Sequence, residues 1–178
     1  MDRVAVRGMS FTLAAFVCAV FLSGAAAAII LAIPNYPLPK ENRIPEAAKA
    51  VLENADRFEL FSLDPVYRER PPKNAFHGYE VLSKADISDT PTRRKLVSAF
   101  ERGVAENQGL MAACFNPRHG IRVTRGDKTV DFVICFACDQ VHVGGDVHGF
   151  FLVTGSPQPV FDQVLRDAKV PLAPKRRP

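Results

Sequence analysis

The sequence predicts an α+β domain: an antiparallel or mixed sheet of about five to six strands with two to three helices packed on it, plus an N-terminal transmembrane helix. Two observations favour the domain. Short strand-like stretches are joined mostly by tight turns, and apolar stripes at helical spacing occur before, between and after them. A third observation, a long uncharged apolar run near the N-terminus, predicts the transmembrane helix.

The N-terminal run Phe11–Ile33 contains 23 residues and no charge. A helix of that length crosses a hydrocarbon core of about 30 Å. Arg3 and Arg7 precede the run, which favours a cytoplasmic N-terminus and an exported domain. We therefore expect residues 1–33 to anchor a single-pass protein in the cell membrane. The alternative is a signal peptide cleaved within the alanine run 25–28, which would leave a secreted domain.

After the anchor, we expect residues 34–44 to be a proline-rich, extended spacer and residues 45–170 to form the exported domain. A basic irregular tail covers 171–178. The chain has 23 basic and 19 acidic residues, but the excess lies at the two ends of the chain, so no basic face for nucleic acid is predicted. The expected contacts are the membrane, through the N-terminal helix, and a protein partner in the envelope.

The elements of the domain follow from local signals in order. Pro45 suits the first turn of a helix, and apolar residues at helical spacing extend that helix over 45–55. Alternating side chains predict strands over 58–65 and 79–87. The clearest helix covers 91–108, with Thr90 as its expected N-cap.

The second half of the domain is mostly strand-like. Gly126 lies in a tight turn that joins two of the predicted strands into a hairpin. A glycine-rich turn then leads into one further strand, and a last amphipathic helix follows. The predicted strands are 110–115, 120–124, 129–137 and the stretches on either side of Gly144-Gly145-Asp146, and the helix is 159–169.

Three cysteines and one histidine provide the candidate site: Cys114, His119, Cys135 and Cys138. Zinc binds three cysteines and one histidine tetrahedrally, and a C-x2-C pair is the usual half of such a site. The expected cofactor under this interpretation is zinc or another transition metal. Residues three apart on a flat strand cannot share one metal, however, so the chain would have to bend after Cys135.

The same residues allow other interpretations. In an exported protein the C-x2-C pair could be a structural or a reversible disulfide, and Cys114 could bridge to Cys135 or Cys138 instead. Any such pairing leaves one of these three cysteines free. A Cys114–His119 nucleophile pair would lack an orienting third group and an oxyanion hole, so no catalytic residue is assigned. His142 and His148 could add to a metal cluster, but solvated or cross-strand histidines are more common.

The stretch "CFNPRHGIRVTRGDKTVDFVICFACDQV", starting at Cys114, resembles a block found in bacterial exported or membrane-anchored proteins. Those proteins share a CF-x-PRHGIR block followed by an ICF-x-C block, and the similarity covers about residues 57–174. The resemblance implies a bacterial envelope setting. It implies neither an activity nor a role for any residue.

Two functional hypotheses follow from these patterns. The first is a membrane-anchored, non-catalytic binding or structural module, whose Cys/His cluster is structural. The alternative is a metal-binding or thiol-redox protein that uses Cys114, His119, Cys135 and Cys138. The sequence contains no Gly-rich phosphate loop, no recognisable pair of catalytic carboxylates and no nucleophile elbow, so it does not predict an enzyme.

Overall fold

A computed structural model describes residues 41–174. The predicted transmembrane helix Phe11–Ile33, the residues of the spacer before 41 and the last four residues of the tail lie outside the described residues. The helices are α1 (Glu46–Glu53), α2 (Thr90–Glu106) and α3 (Gln158–Asp167), with a short 3-10 helix at Phe136–Cys138. The strands are β1 (Arg57–Tyr67), β2 (Tyr79–Asp86), β3 (His119–Arg125), β4 (Lys128–Cys135), β5 (Gln140–Gly145) and β6 (Gly149–Leu152).

The six strands form one sheet in the order β2-β1-β3-β4-β5-β6, and every neighbouring pair is antiparallel. The predicted α+β class is therefore confirmed, with six strands and three α-helices between residues 41 and 174. None of those helices is long and apolar enough to span a bilayer.

One face of the sheet packs against the helices and forms the main core. Phe100 of α2 lies at its centre, and its ring centroid is 5.7 to 6.0 Å from those of Phe132, Phe151 and Phe161. All four side chains are fully buried. Edge-to-face aromatic contacts of this kind add to the free energy gained by burying apolar area, so this cluster holds α2 and α3 on the sheet.

The other face of the sheet, called the outer face below, carries a second, smaller core. Two irregular segments cover it: residues 68–78, which connect β1 to β2, and residues 107–118, which connect α2 to β3. The buried members of this core are Phe61, Leu63, Phe76, Tyr79 and Val133, with Val81 and Phe115 packed against them. The outer face is therefore covered by two connecting segments, and the cysteines lie on this face.

Local signals located most elements correctly, with two corrections. The N-cap of α2 is Asp89 rather than Thr90, because the Asp89 carboxylate accepts a hydrogen bond of 2.8 Å from the backbone N–H of Thr92. The predicted strand 110–115 is wrong, since that segment has no strand partner. Its backbone instead bonds to the turn around Cys138, where the Ala112 N–H donates to the Cys138 carbonyl at 3.0 Å.

The end of the proline-rich segment packs onto the domain. The Asn42 side chain accepts a hydrogen bond from the Leu152 N–H at 2.7 Å and donates to the Leu152 carbonyl at 3.2 Å. It also donates to the carbonyl of Val104 at 2.9 Å. Asn42 thereby satisfies backbone groups of the edge strand β6, and Ile44 beside it is buried.

Candidate functional site

The side chains of Cys135 and Cys138 come together because the chain turns sharply at the end of β4. The 3-10 helix at Phe136–Cys138 breaks the strand alternation that would point the two side chains apart. Their Cα atoms are 5.2 Å apart, and the two sulfurs form a disulfide. Asp139 closes the turn in the left-handed region, with φ of 57°. Burial raises the pKa of the Asp139 carboxyl.

A separate part of the chain brings the third cysteine to this disulfide. The segment 107–118 runs over the outer face, where the Gln140 side-chain amide donates to the carbonyls of Ala112 and Cys114. Gln140 is the partner of Cys135 across the β4–β5 ladder, so its amide lies beside the disulfide. These bonds fix the segment in place and leave the Cys114 side chain exposed as a free thiol.

The three sulfurs form one cluster of unequal accessibility. The Sγ atoms of Cys114 and Cys138 are 3.6 Å apart, close to the separation of about 3–3.5 Å expected of reacting atoms poised for attack. Cys135 and Cys138 are each only 1% exposed, whereas Cys114 faces solvent. The backbone N–H of Asn116 donates to the Cys138 sulfur at 3.3 Å, which favours negative charge on that sulfur.

His119 is not part of this cluster, because the sheet separates it from the cysteines. It pairs with Ile134 in the β3–β4 ladder and faces the helices, whereas Cys135 faces the outer side. The His119 ring is 3% exposed, and its Nε2 forms a hydrogen bond of 2.9 Å with Asp162 of α3. That bond lowers the pKa of the Asp162 carboxyl.

The four side chains of the predicted metal site are therefore not arranged as one ligand set. Two of the three sulfurs are joined in a disulfide, and the His119 nitrogen bonds a carboxylate on the opposite face of the sheet. Between residues 41 and 174, no group of three or more His, Cys, Asp or Glu side chains is placed to hold a metal ion. The arrangement brings together a disulfide and a thiol, which are the reactants of thiol–disulfide exchange.

An aromatic stack next to Cys114 was not predicted from the sequence. The rings of Phe115 and His142 lie parallel, with centroids 3.9 Å apart and planes 7° apart. Phe150 contacts the His142 ring edge-on at 5.5 Å. Partial burial lowers the pKa of His142, because the packed rings displace some of the water that would solvate its charged form, while the rest of the residue stays exposed. His148, the other histidine of this region, is exposed in the β5–β6 turn.

The stack should make the domain less stable in acid. The folded-state pKa of His142 lies below the ordinary value of 6.5, so the unfolded chain binds the proton more readily. The unfolding free energy that comes from this pKa difference is present above pH 6.5 and is lost as the pH falls through the folded-state pKa. We expect His142→Phe to lose less unfolding free energy than wild type between pH 7.5 and 5.5, measured by urea denaturation.

His148→Gln is the matched control for this measurement. It removes a histidine from the same region without touching the stack, so it should keep the pH dependence of the wild-type protein. An equal pH dependence in wild type and His142→Phe would show that the Phe115–His142 stack does not contribute to it.

A second polar cluster lies farther along the outer face. The Asp131 carboxylate is 5% exposed and accepts two hydrogen bonds from Arg122, of 2.8 and 2.7 Å. Nε2 of His77 lies 2.8 Å from the same carboxylate, and His77 holds a left-handed backbone with φ of 52°. Its ring covers Gly144, where an added Cβ would lie 2.5 Å from the ring.

The charges in this second cluster are compensated. Burial alone would raise the pKa of Asp131, but the hydrogen bonds from Arg122 and His77 outweigh it and lower that pKa. The same contact raises the pKa of Arg122. Because His77 lies in the 68–78 connection, the cluster ties that segment to the sheet. No signal in the sequence links residues so far apart in the chain.

Comparison with known proteins gives no relative for this chain. No protein-family model, no curated protein and no solved structure matches it.

Proposed function

We propose that this protein is a thiol–disulfide exchange protein, in which the exposed Cys114 connects partners in solution to the buried Cys135–Cys138 disulfide. The observation that supports this most strongly is the 3.6 Å contact between the sulfurs of Cys114 and Cys138. Thiols of partner molecules in solution can reach Cys114 directly. They cannot reach the other two sulfurs without displacing the segment 107–118, since both are almost fully buried.

The first step of the proposed reaction is internal. The Cys114 thiolate attacks the Cys138 sulfur, a Cys114–Cys138 bond forms, and the electron pair of the old bond leaves with Cys135 as a thiolate. The step conserves the number of disulfides and needs no external oxidant. It moves the disulfide from a buried position to one that includes the exposed Cys114 sulfur.

The second step involves a dithiol partner. One partner thiolate attacks the exposed Cys114 sulfur and releases Cys138 as a thiolate, which the N–H of Asn116 at 3.3 Å stabilises. The second partner thiol then attacks the mixed disulfide, so the partner becomes oxidised and Cys114 is released as a thiol. Two electrons pass from the partner dithiol to the protein disulfide, and all three cysteines of the cluster end as thiols.

We also propose the setting in which this exchange takes place. The apolar run Phe11–Ile33 would hold the domain on the outer side of the cell membrane, or would be removed on secretion. Either route places the cysteines in a compartment where disulfides persist. The partner would then be another protein of the bacterial envelope.

The test is the rate at which dithiothreitol reduces the Cys135–Cys138 disulfide. We expect Cys114→Ser to slow this reduction by about tenfold or more, because the internal thiol that delivers electrons is gone. Acid quenching, alkylation and tryptic mass mapping report each pairing, since cleavage after Arg118 and Lys128 separates Cys114 from the other two cysteines.

Ala113→Ser is the matched control, because it changes the neighbouring exposed residue and leaves the sulfur in place. It should reduce at the wild-type rate, and both variants should unfold at the wild-type denaturant concentration. A Cys114→Ser protein that is reduced as fast as wild type would overturn the proposed exchange function.

That outcome would favour a second candidate, a non-catalytic binding or structural module in which the disulfide and the separate His119–Asp162 pair are both structural. The burial of both disulfide sulfurs supports it, as does the His119–Asp162 pair that joins β3 to α3. In such a module the disulfide would only fix the turn at Phe136–Cys138. The exposed Cys114 then has no function, which is why exchange is the better-supported proposal.

A further inference from the structure

The segment 107–118 that carries Cys114 exposes two large apolar side chains, and its one charged residue is Arg118 at its end. Residues 107–117 contain no Lys, Arg, Asp or Glu. Leu110 is 73% exposed and Met111 is 37% exposed, and both are among the few large apolar side chains on the surface of residues 41–174. Exposed apolar side chains next to a reactive group are a common feature of sites that bind another chain.

The backbone presents these side chains in a fixed way. The Asn107 side-chain oxygen accepts hydrogen bonds from the N–H groups of Gly109 and Leu110, at 2.8 and 3.2 Å. Its amide donates to the Leu110 carbonyl at 2.9 Å. Asn107 itself is buried, so the Gly109–Leu110 backbone is held by three bonds to an anchored residue while the Leu110 side chain faces water. Such preorganisation reduces the entropy lost on binding.

From this surface we infer the class of partner: the thiol that reacts at Cys114 belongs to a polypeptide segment with apolar side chains beside its cysteine. The inference rests on the proposed exchange function. Leu110 and Met111 would pack against the apolar side chains of the segment, and this contact would bring its cysteine to Cys114. A small anionic thiol such as glutathione carries no large apolar side chain that could pack on Leu110 and Met111.

The experiment compares three thiols on the full-length protein. One is an uncharged peptide whose single cysteine is flanked by leucine and phenylalanine, the second is the same peptide with serine flanks, and the third is glutathione. The rate of mixed-disulfide formation at Cys114 is read from the tryptic peptide 103–118. We expect the apolar peptide to react about five- to tenfold faster than the serine peptide, as burial of one or two apolar side chains allows.

A double variant, Leu110→Ser with Met111→Gln, should remove this preference. The apolar peptide should then react at the rate of the serine peptide, while dithiothreitol reduction of the Cys135–Cys138 disulfide should stay unchanged. Val66→Ser is the matched control, since Val66 is 57% exposed at the end of β1 and lies outside the segment 107–118. It should keep the full preference for the apolar peptide.

The two proposals fail in different ways. Equal rates for the two peptides on wild-type protein would overturn the partner inference and leave the exchange function intact. An equal slowing of all thiols, dithiothreitol included, by the double variant would also overturn it, because Leu110 and Met111 would then only support the fold. Failure of the exchange function itself would appear as unchanged dithiothreitol reduction in Cys114→Ser.

Discussion

The variant Cys135→Ser is expected to form a Cys114–Cys138 disulfide almost completely under mild oxidation. In the variant Cys138→Ser, by contrast, Cys114 and Cys135 should both remain free thiols. The reason is that Cys138 is the shared sulfur, bonded to Cys135 and 3.6 Å from Cys114. Closing that gap to a bond of about 2.05 Å needs a shift of roughly 1.5 Å, which rotation of the exposed Cys114 side chain can supply.

Tryptic mass mapping without reduction reads the result directly. A Cys114–Cys138 disulfide joins peptide 103–118 to peptide 129–166, while a chain with free thiols gives the two peptides separately. The wild-type protein is the control and should show the internal Cys135–Cys138 pair. If Cys135→Ser remains reduced while wild type is oxidised, Cys114 cannot reach Cys138, and the exchange pathway is wrong.

The sulfur cluster shows where prediction from the sequence succeeds and where it stops. The C-x2-C spacing required a bend after Cys135, and the 3-10 helix at Phe136–Cys138 supplies it. The position of Cys114 depends on contacts far along the chain, between Ala112 and Cys138 and from the Gln140 amide. The apolar side chains of residues 110–115 are compatible with a strand as well as with the irregular segment that is observed. The sequence pattern therefore could not identify the hydrogen-bond partners of this segment.

Elements with strong local signals were predicted well, because the residues that determine them lie within or next to the element in the sequence. Helix α2 has Pro91 in its first turn, and the β3–β4 hairpin turns at Gly126 with a positive φ of 57°. His119 was grouped with the cysteines because it is close to them in sequence. The pairing of His119 with Ile134 places it on the opposite face from Cys135, and the sequence alone did not specify that strand register.

The largest loss of stability is expected from Arg122→Met. This change leaves the Asp131 carboxylate, 5% exposed, with only His77 as a partner. Removing one partner of a fully buried ion pair costs about 3–5 kcal/mol, and since the Arg122 side chain is 40% exposed we expect about 2–3 kcal/mol at pH 7, measured by urea denaturation. Lys84→Met is the matched control, because Glu59 keeps Arg57 at 3.1 Å, and it should cost about 1 kcal/mol or less.

The pH dependence of this loss separates a charge effect from a packing effect. In wild type the pKa of Asp131 is lowered, so its stabilisation is present above pH 3.8 and is lost as the pH falls through the folded-state value. In Arg122→Met, burial of Asp131 is opposed only by His77, so the neutral carboxyl is favoured and acid relieves the penalty. The difference in unfolding free energy between wild type and Arg122→Met should therefore become smaller from pH 7 to pH 4.5. A constant difference would mean that Arg122 stabilises the sheet through its packing on Phe76 rather than through its charge.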